Sequence, residues 1–352
     1  MLRLPKFRYL QPKSVNEAIR MMADAGPDAM YVAGGTDLYP NMKRRQQTPK
    51  VVIGLERLKS LRILRGKPAE GMVLGAGLTL TEVTGDKRIQ HAYAAVARAA
   101  ELISTPLLRN MGSIGGNLLL DTRCNYYDQN YEWRKAIHFC MKKDGETCWV
   151  APSSPRCWAV QSSDCAPVMV AIGAQVKLVS GSGDRMLPAA ELYHDDGIRH
   201  LNKRPDELLT EIHLPPANGW RATYWKLRRR GSFDFPVLGV ATWLKLSSDG
   251  IVEDVKIILG GVGSYPIEAA ATGKAITGKK LTPDTIHEAA AAAYPVAKPL
   301  DNTDFAMSWR KDMARYYVAG TLRELAGLPP SFPPPASESP LVRLSVQNGE
   351  RN

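Results

Sequence analysis

Arg109-Asn110-Met111-Gly112-Ser113-Ile114-Gly115-Gly116-Asn117 is the stretch on which the reading of this chain turns, and Ala33-Gly34-Gly35-Thr36-Asp37 is its shorter counterpart upstream. Each follows an apolar segment. A run of backbone N–H groups with no β-carbon in the way can close on a diphosphate, and the Thr36 and Ser113 hydroxyls add donors suited to phosphate oxygens. Taken singly, a Gly-Gly pair in a loop is more often a turn than a ligand site; two such loops in one chain point to a dinucleotide cradle. The G-x-G-x-x-G pattern is absent, because Gly75-Ala76-Gly77 and Gly181-Ser182-Gly183 are not followed by the third glycine. Any dinucleotide must be held another way. On this reading a branched side chain at Gly35 or Gly115 enters the diphosphate position and spares the fold.

Outward from these loops the chain divides into units. Ser14-Val15-Asn16-Glu17 reads as a capping box opening a helix to about Ala25, and Met30-Tyr31-Val32 as a short strand running into the first loop. Val51–Ile53 and Met72–Leu80 read as further strands, and Ile89–Ile103 as one helix. A second unit begins near residue 58. After Asp164 a short helix to Ala171 precedes strands at Gln175–Val179 and Leu208–His213. Beyond Trp220 three strands, Ala222–Leu227, Val237–Leu246 and Ile251–Leu259, form an antiparallel meander. Helices follow, one capped by Thr282 with Pro283 in its first turn and one over Asp304–Ala326. The expected division is 1–57 and 58–218 as two subdomains, an insertion at about 118–160 within the second, a C-terminal domain at 219–327 and a Pro-rich tail at 328–352. The class is α+β.

Composition sets the outer limits. With 352 residues and 44% hydrophobic content the chain can bury more than one core. Lys and Arg number 46 against 35 Asp and Glu, a net +11, but the charges are dispersed and fit a basic surface as well as an acidic partner. Arg3, Lys6 and Arg8 interrupt the N-terminus, so an export signal is not expected, and no window reaches the ~18 apolar residues of a membrane span. A cytoplasmic protein with no membrane contact follows as the expectation.

With A-G-G-T-D-L at 33–38, R-N-x-G-S-I-G-G-N-L at 109–118, Ser163-Asp164 followed by Pro167, and Tyr224-x-Lys226, the chain resembles the FAD-binding subunits and domains of the molybdenum hydroxylases, the xanthine dehydrogenase and carbon monoxide dehydrogenase group. The resemblance runs from about Phe7 to Ala326. It implies a two-subdomain FAD-binding unit of the PCMH type, then an α+β C-terminal domain whose antiparallel sheet covers the isoalloxazine. By position, Tyr31, Val32, Ala33, Gly34, Gly35, Thr36, Asp37 and Leu38 would form one side of the FAD cradle and Ser113, Ile114, Gly115, Gly116 and Asn117 the other. Asp164 would bind ribityl or ribose hydroxyls and Lys226 would sit near the flavin. Asp164 reads equally as a helix N-cap before Cys165-Ala166-Pro167.

The insertion has no sustained period and should contain something that orders it. Cys124, Cys140, Cys148 and Cys157 lie inside it, spaced C-x15-C-x7-C-x8-C. Four thiols suit an all-cysteine metal site, yet the spacing lacks both the C-x2-C knuckles of structural zinc and the tight bacterial ferredoxin run, so iron–sulfur, zinc and no metal all stay open on spacing. A neighbouring flavin favours a redox-active iron–sulfur cluster. Cys165, outside the insertion and among apolar residues, reads as a small buried hydrophobe.

Most flavin subunits of the group lack such an insertion. The branch that has it, the 4-hydroxybenzoyl-CoA reductases, carries an extra [4Fe–4S] cluster on a cysteine loop, and this chain resembles its flavin subunit. That resemblance implies an electron-transfer subunit without catalytic residues of its own, fed by ferredoxin. Its partners would be a molybdenum-cofactor subunit and a [2Fe–2S] subunit in a dimer of heterotrimers, reducing 4-hydroxybenzoyl-CoA to benzoyl-CoA in anaerobic aromatic degradation. The scattered histidines, His91, His138, His194, His200, His213 and His287, offer no triad or metal-ligand spacing. One alternative is the flavin subunit of another molybdenum hydroxylase with a different aromatic or heterocyclic substrate. Another is a basic zinc-containing scaffold or nucleic-acid-binding protein, which explains the charge but not the glycine loops.

Overall fold

A computed structural model describes residues 2–330. At the N-terminus, strands Arg8–Leu10, Val51–Gly54 and Ala29–Val32 form a parallel sheet with Val51–Gly54 in the centre. Parallel pairing needs a crossover, and the helix Val15–Ala25 supplies it, burying Ala18, Ile19 and Met22. Ser14 caps this helix by accepting from the Glu17 N–H at 3.1 Å, but Glu17 reaches back to the N–H of Lys13 rather than that of Ser14, so only half of the expected capping box forms. Ala29–Val32 delivers the first glycine loop at its carboxyl end, the side of a parallel sheet where ligands collect.

The second unit is a five-stranded antiparallel sheet in the order Leu64–Lys67, Gly71–Gly75, Leu208–Leu214, Gln175–Ser180, Gly183–Pro188. The strand expected over 72–80 stops at Gly75, because Thr79 and Glu82 close a capping box that starts the helix Leu80–Gly85. The single helix expected over 89–103 is two, Lys87–Ala92 and Ala94–Glu101. Buried Tyr93 leaves helical geometry between them and donates its hydroxyl to the Pro215 carbonyl at 2.6 Å. Apolar spacing continued through this break and hid it.

In the C-terminal unit, Trp220–Leu227, Leu238–Leu246, Val252–Gly260 and the short Ile267–Glu268 make an antiparallel sheet, the meander expected from sequence. Helices Pro283–Ala291, capped by Thr282, and Met307–Leu325 pack on it through Ile286, Ala290, Met313, Tyr317 and Leu322. Of the insertion, only Tyr131–Ala136 is helical. Its neck is closed by reciprocal backbone bonds between Arg123 and Val160, both 2.8 Å. Among the described residues no helix is long and apolar enough to cross a membrane. The expected tail lies outside the described residues from 331 onward.

Candidate functional site: a glycine cradle beside a four-thiol cavity

The two glycine loops touch. A β-carbon at Gly34 would overlap the Met111 carbonyl, and one at Gly112 would lie 3.4 Å from Thr36 Oγ1. Gly35 holds φ +70°, the left-handed region that glycine enters without penalty. Among the described residues the N–H groups of Gly34, Gly35, Thr36 and Asp37 have no acceptor. Four successive free donors in a turn are a concavity for an anion.

The second loop spends its donors on the protein. Ile114 N–H bonds Leu78 O and Gly115 N–H bonds Ala76 O, each at 2.9 Å; Gly116 N–H bonds Ser113 Oγ at 3.1 Å and Asn117 N–H bonds Ser113 O at 3.0 Å. Asn117 Oδ1 accepts from Ser163 Oγ at 2.7 Å and from the Cys165 N–H at 3.2 Å, fixing the loop to the helix Cys165–Ala171. A branched side chain at Gly35 or Gly115, expected to reach the diphosphate position and spare the fold, would first meet the protein itself. At Gly115 a β-carbon would stand 2.6 Å from that of Ala76, and at Gly35 it would meet the Tyr39 ring. Val32, Leu38 and Ile114 are core side chains, and Tyr31 turns its hydroxyl toward the Ala18 carbonyl.

Asp164 and Lys226, expected as separate flavin contacts, are brought together as a buried ion pair of 2.9 Å with 3% and 1% of their side chains exposed. Tyr224 donates to the other Asp164 oxygen at 2.9 Å, and Lys226 also donates to the Leu102 carbonyl at 3.0 Å. Burial pushes the Asp164 carboxyl up and the Lys226 ammonium down, against their mutual attraction. Asp164 occupies the helix N-cap position without capping it; Ser163 Oγ does so, accepting from the Ala166 N–H at 2.9 Å.

Cys124, Cys140, Cys148 and Cys157 are buried, free of disulfides, and line one small cavity. Cys165 is elsewhere, fully buried in the core of the second unit, as expected. Of the four sulfurs, that of Cys157 accepts the Ala159 N–H at 3.4 Å. Burial pushes the Cys124 thiol up to about 12 and that of Cys157 to about 11, while the nearby backbone of Tyr126 and of Ala159 pulls the other way. Among the described residues, however, no three His, Cys, Asp or Glu side chains form a group that could hold a metal ion. The expected ligand set is thus gathered around one space without closing on a point.

The side chains that hold this region were not found by sequence reasoning. Arg123 pairs with Asp37 of the first glycine loop and, at 3.3 Å, with Asp128, and stacks 3.8 Å from the Phe235 ring centre. Asp128 in turn accepts from the Cys124 N–H at 3.2 Å. Lys142 donates to Asp121, Thr122 and the Gly197 carbonyl at 2.7–2.8 Å. Arg134, with 0% of its side chain exposed, donates through Nη2 to the Arg44 and Arg45 carbonyls at 3.2 and 3.1 Å. Its Nε and Nη1 have no hydrogen-bond partner among the described residues. Apart from the Asp128 contacts, their partners are distant in sequence, and no local pattern announces them.

With this geometry in place, known proteins give the family. Residues 5–217 match the FAD binding domain in molybdopterin dehydrogenase and residues 222–325 the CO dehydrogenase flavoprotein C-terminal domain. The chain is 31% identical over 303 residues to the aldehyde oxidoreductase FAD-binding subunit of Escherichia coli, covering 83% of this chain and 92% of that protein. It is 26% identical over 319 residues to the carbon monoxide dehydrogenase medium chain of Hydrogenophaga pseudoflava, covering 90% and 96%. A solved structure of carbon monoxide dehydrogenase from Oligotropha carboxidovorans superposes with TM-score 0.76 at 25% identity, covering 93% of this chain and 100% of that one. The chain therefore belongs to the FAD-binding subunit family of the molybdopterin dehydrogenases, with the family's FAD-binding and flavoprotein C-terminal domains in succession.

Proposed function

We propose that this chain is the FAD- and [4Fe–4S]-containing electron-transfer subunit of a molybdenum enzyme of the 4-hydroxybenzoyl-CoA reductase type. Its partners would be a molybdenum-cofactor subunit and a [2Fe–2S] subunit, with ferredoxin as donor, in the cytoplasm. Relatives named as medium chains and FAD-binding subunits support membership of such an assembly.

The carrying observation is the four-thiol cavity in an insertion roped to the first glycine loop by Arg123 and Asp37. Four buried thiols, one of which accepts the Ala159 N–H, fit metal-bound thiolates, since a hydrogen bond to sulfur stabilises the charged form. A single zinc needs sulfurs at ~2.3 Å from one point, hence within about 4 Å of one another. Four cysteines around one cavity match the ligand count of a four-iron cluster. FAD fits the cradle through the free donors of residues 34–37, and Asp164 and Lys226 would act on it from behind the second loop. When bound, these groups supply exchange between one-electron and two-electron carriers. The chain's own part is to hold them, keep water from the thiols and fix their spacing through Arg123.

Anaerobically purified protein should contain one FAD, about four irons and about four acid-labile sulfides per chain. Cys124→Ser should lose or convert the cluster and keep FAD, and Cys165→Ser should keep the iron. Stoichiometric zinc without sulfide would reject the electron-entry role. A complex with full cluster content that reduces no 4-hydroxybenzoyl-CoA would favour a second reading within the family, in line with relatives named for aldehydes, carbon monoxide and nicotinate.

A further inference from the structure

The turn that offers donors to an anion ends on an anion. Asp37 closes the run of residues 34–37 whose N–H groups have no acceptor among the described residues. An unpaired carboxylate beside those donors would repel a phosphate and cancel much of their attraction. An aspartate just before a helix ordinarily turns back to accept from the N–H groups of the first turn. Asp37 precedes the helix Leu38–Lys43 and does not cap it. One of its oxygens pairs with the Arg123 guanidinium, and the other accepts from Asn41 Nδ2 at 3.0 Å.

Arg123 is held from both ends. Its backbone pairs reciprocally with Val160 at the neck of the insertion, and its guanidinium lies 3.8 Å from the Phe235 ring centre with 14% of the side chain exposed. The acids around it have other cations. Asp121 has Lys142 at 2.8 Å, and Asp128 has Arg44 at 3.7 Å besides Arg123 at 3.3 Å. Among the described residues Asp37 is paired with Arg123 alone. Burial pushes the Asp37 carboxyl up, Arg123 pulls it down, and Asp121 and Asp128 push it up again, which places three acids and one guanidinium in a single electrostatic neighbourhood.

We propose that Arg123 is the positioning residue that makes the first glycine loop receptive to a dinucleotide diphosphate. It draws the Asp37 carboxylate aside and neutralises it, leaving the N–H groups of residues 34–37 to the phosphate oxygens. The inference deepens the FAD reading of this cradle and needs no metal in the insertion. It gives the neck of the insertion a part in flavin binding, because the residue that pairs with Val160 also neutralises the cradle.

The test is a fluorescence titration of the flavin-free full-length chain with FAD, with a melting curve for each apoprotein. Arg123→Gln should weaken FAD binding roughly tenfold, and Arg123→Lys, which keeps the charge, should recover most of the loss. The deciding variant combines Arg123→Gln with Asp37→Asn. Removing the unneutralised carboxylate should return the affinity to within about threefold of wild type, a coupling that a purely structural clamp would not show. A double variant that binds no better than Arg123→Gln overturns the proposal, as does unchanged affinity in Arg123→Gln. Should Arg123→Gln fail to fold, Asp37→Asn alone decides. It removes one negative charge from the cradle and should tighten FAD binding, and equal or weaker binding overturns the proposal. Wild-type apoprotein that takes up no FAD is a different failure, that of the FAD reading itself, and takes this proposal with it.

Discussion

Residues 34–37 and 113–117 both offer a glycine pair beside a hydroxyl, yet in the folded chain they do different work. The first loop leaves its N–H groups without acceptors among the described residues and relies on the left-handed Gly35 to aim them. The second donates every N–H from Ile114 to Asn117 back to the protein, and through Asn117 it grips Ser163 and Cys165. Glycine there makes room for neighbouring backbone, with Ala76 on one side and Met111 meeting Gly34 on the other. One motif is a donor array and the other is the wall it leans on. A Gly-Gly signature therefore marks close approach, and what approaches must be learned from the hydrogen bonds.

The contrast can be broken most forcefully at Gly115. Gly115→Val forces atoms into Ala76 and should cost at least the ~1–3 kcal/mol typical of overpacking, read as a lower urea midpoint with and without FAD. Lost FAD with unchanged apoprotein stability would show the second loop to be a ligand surface after all. A smaller effect is expected at Gly35. Gly35→Ala imposes left-handed strain of about 1–2 kcal/mol, pushes the Tyr39 ring aside and misaims the free donors, so the apparent affinity for FAD, read from the stability it adds, should fall roughly tenfold. Equal loss of stability in the apoprotein and no change in FAD binding would contradict the donor role. The smallest effect belongs to Gly116, which is exposed and whose β-carbon would meet only Ser113 Oγ at 3.0 Å. Gly116→Ala should change the melting midpoint little, since helix propensity offsets the tight contact to within about 1 kcal/mol. Abolished flavin binding there would move the diphosphate onto the second loop.

Local chemistry was legible in the sequence wherever the signal was local. Thr282 and Pro283 open a helix, the Ser247–Gly250 turn joins two strands of the meander, and Cys165 lies in a core because its neighbours are apolar. What escaped depended on partners far along the chain. Asp164 and Lys226 were both picked out, but their pairing with each other and with Tyr224 is decided by how the Cys165–Ala171 helix meets the Trp220–Leu227 strand. Arg123 carried no motif at all, although it joins Asp37, Asp128 and Phe235. The Tyr93 break was masked by apolar residues on both sides of it.

The neck of the insertion has a further consequence. Arg123 and Val160 are joined by two backbone hydrogen bonds, so the segment between them leaves and re-enters the fold at a single place. Closing a loop across a fixed pair costs only slowly more as the loop lengthens. The length of the thiol-bearing segment is thus nearly independent of the strands on either side, and what fixes its place is the side-chain contacts of Arg134 with the Arg44 and Arg45 carbonyls and of Lys142 with the Gly197 carbonyl.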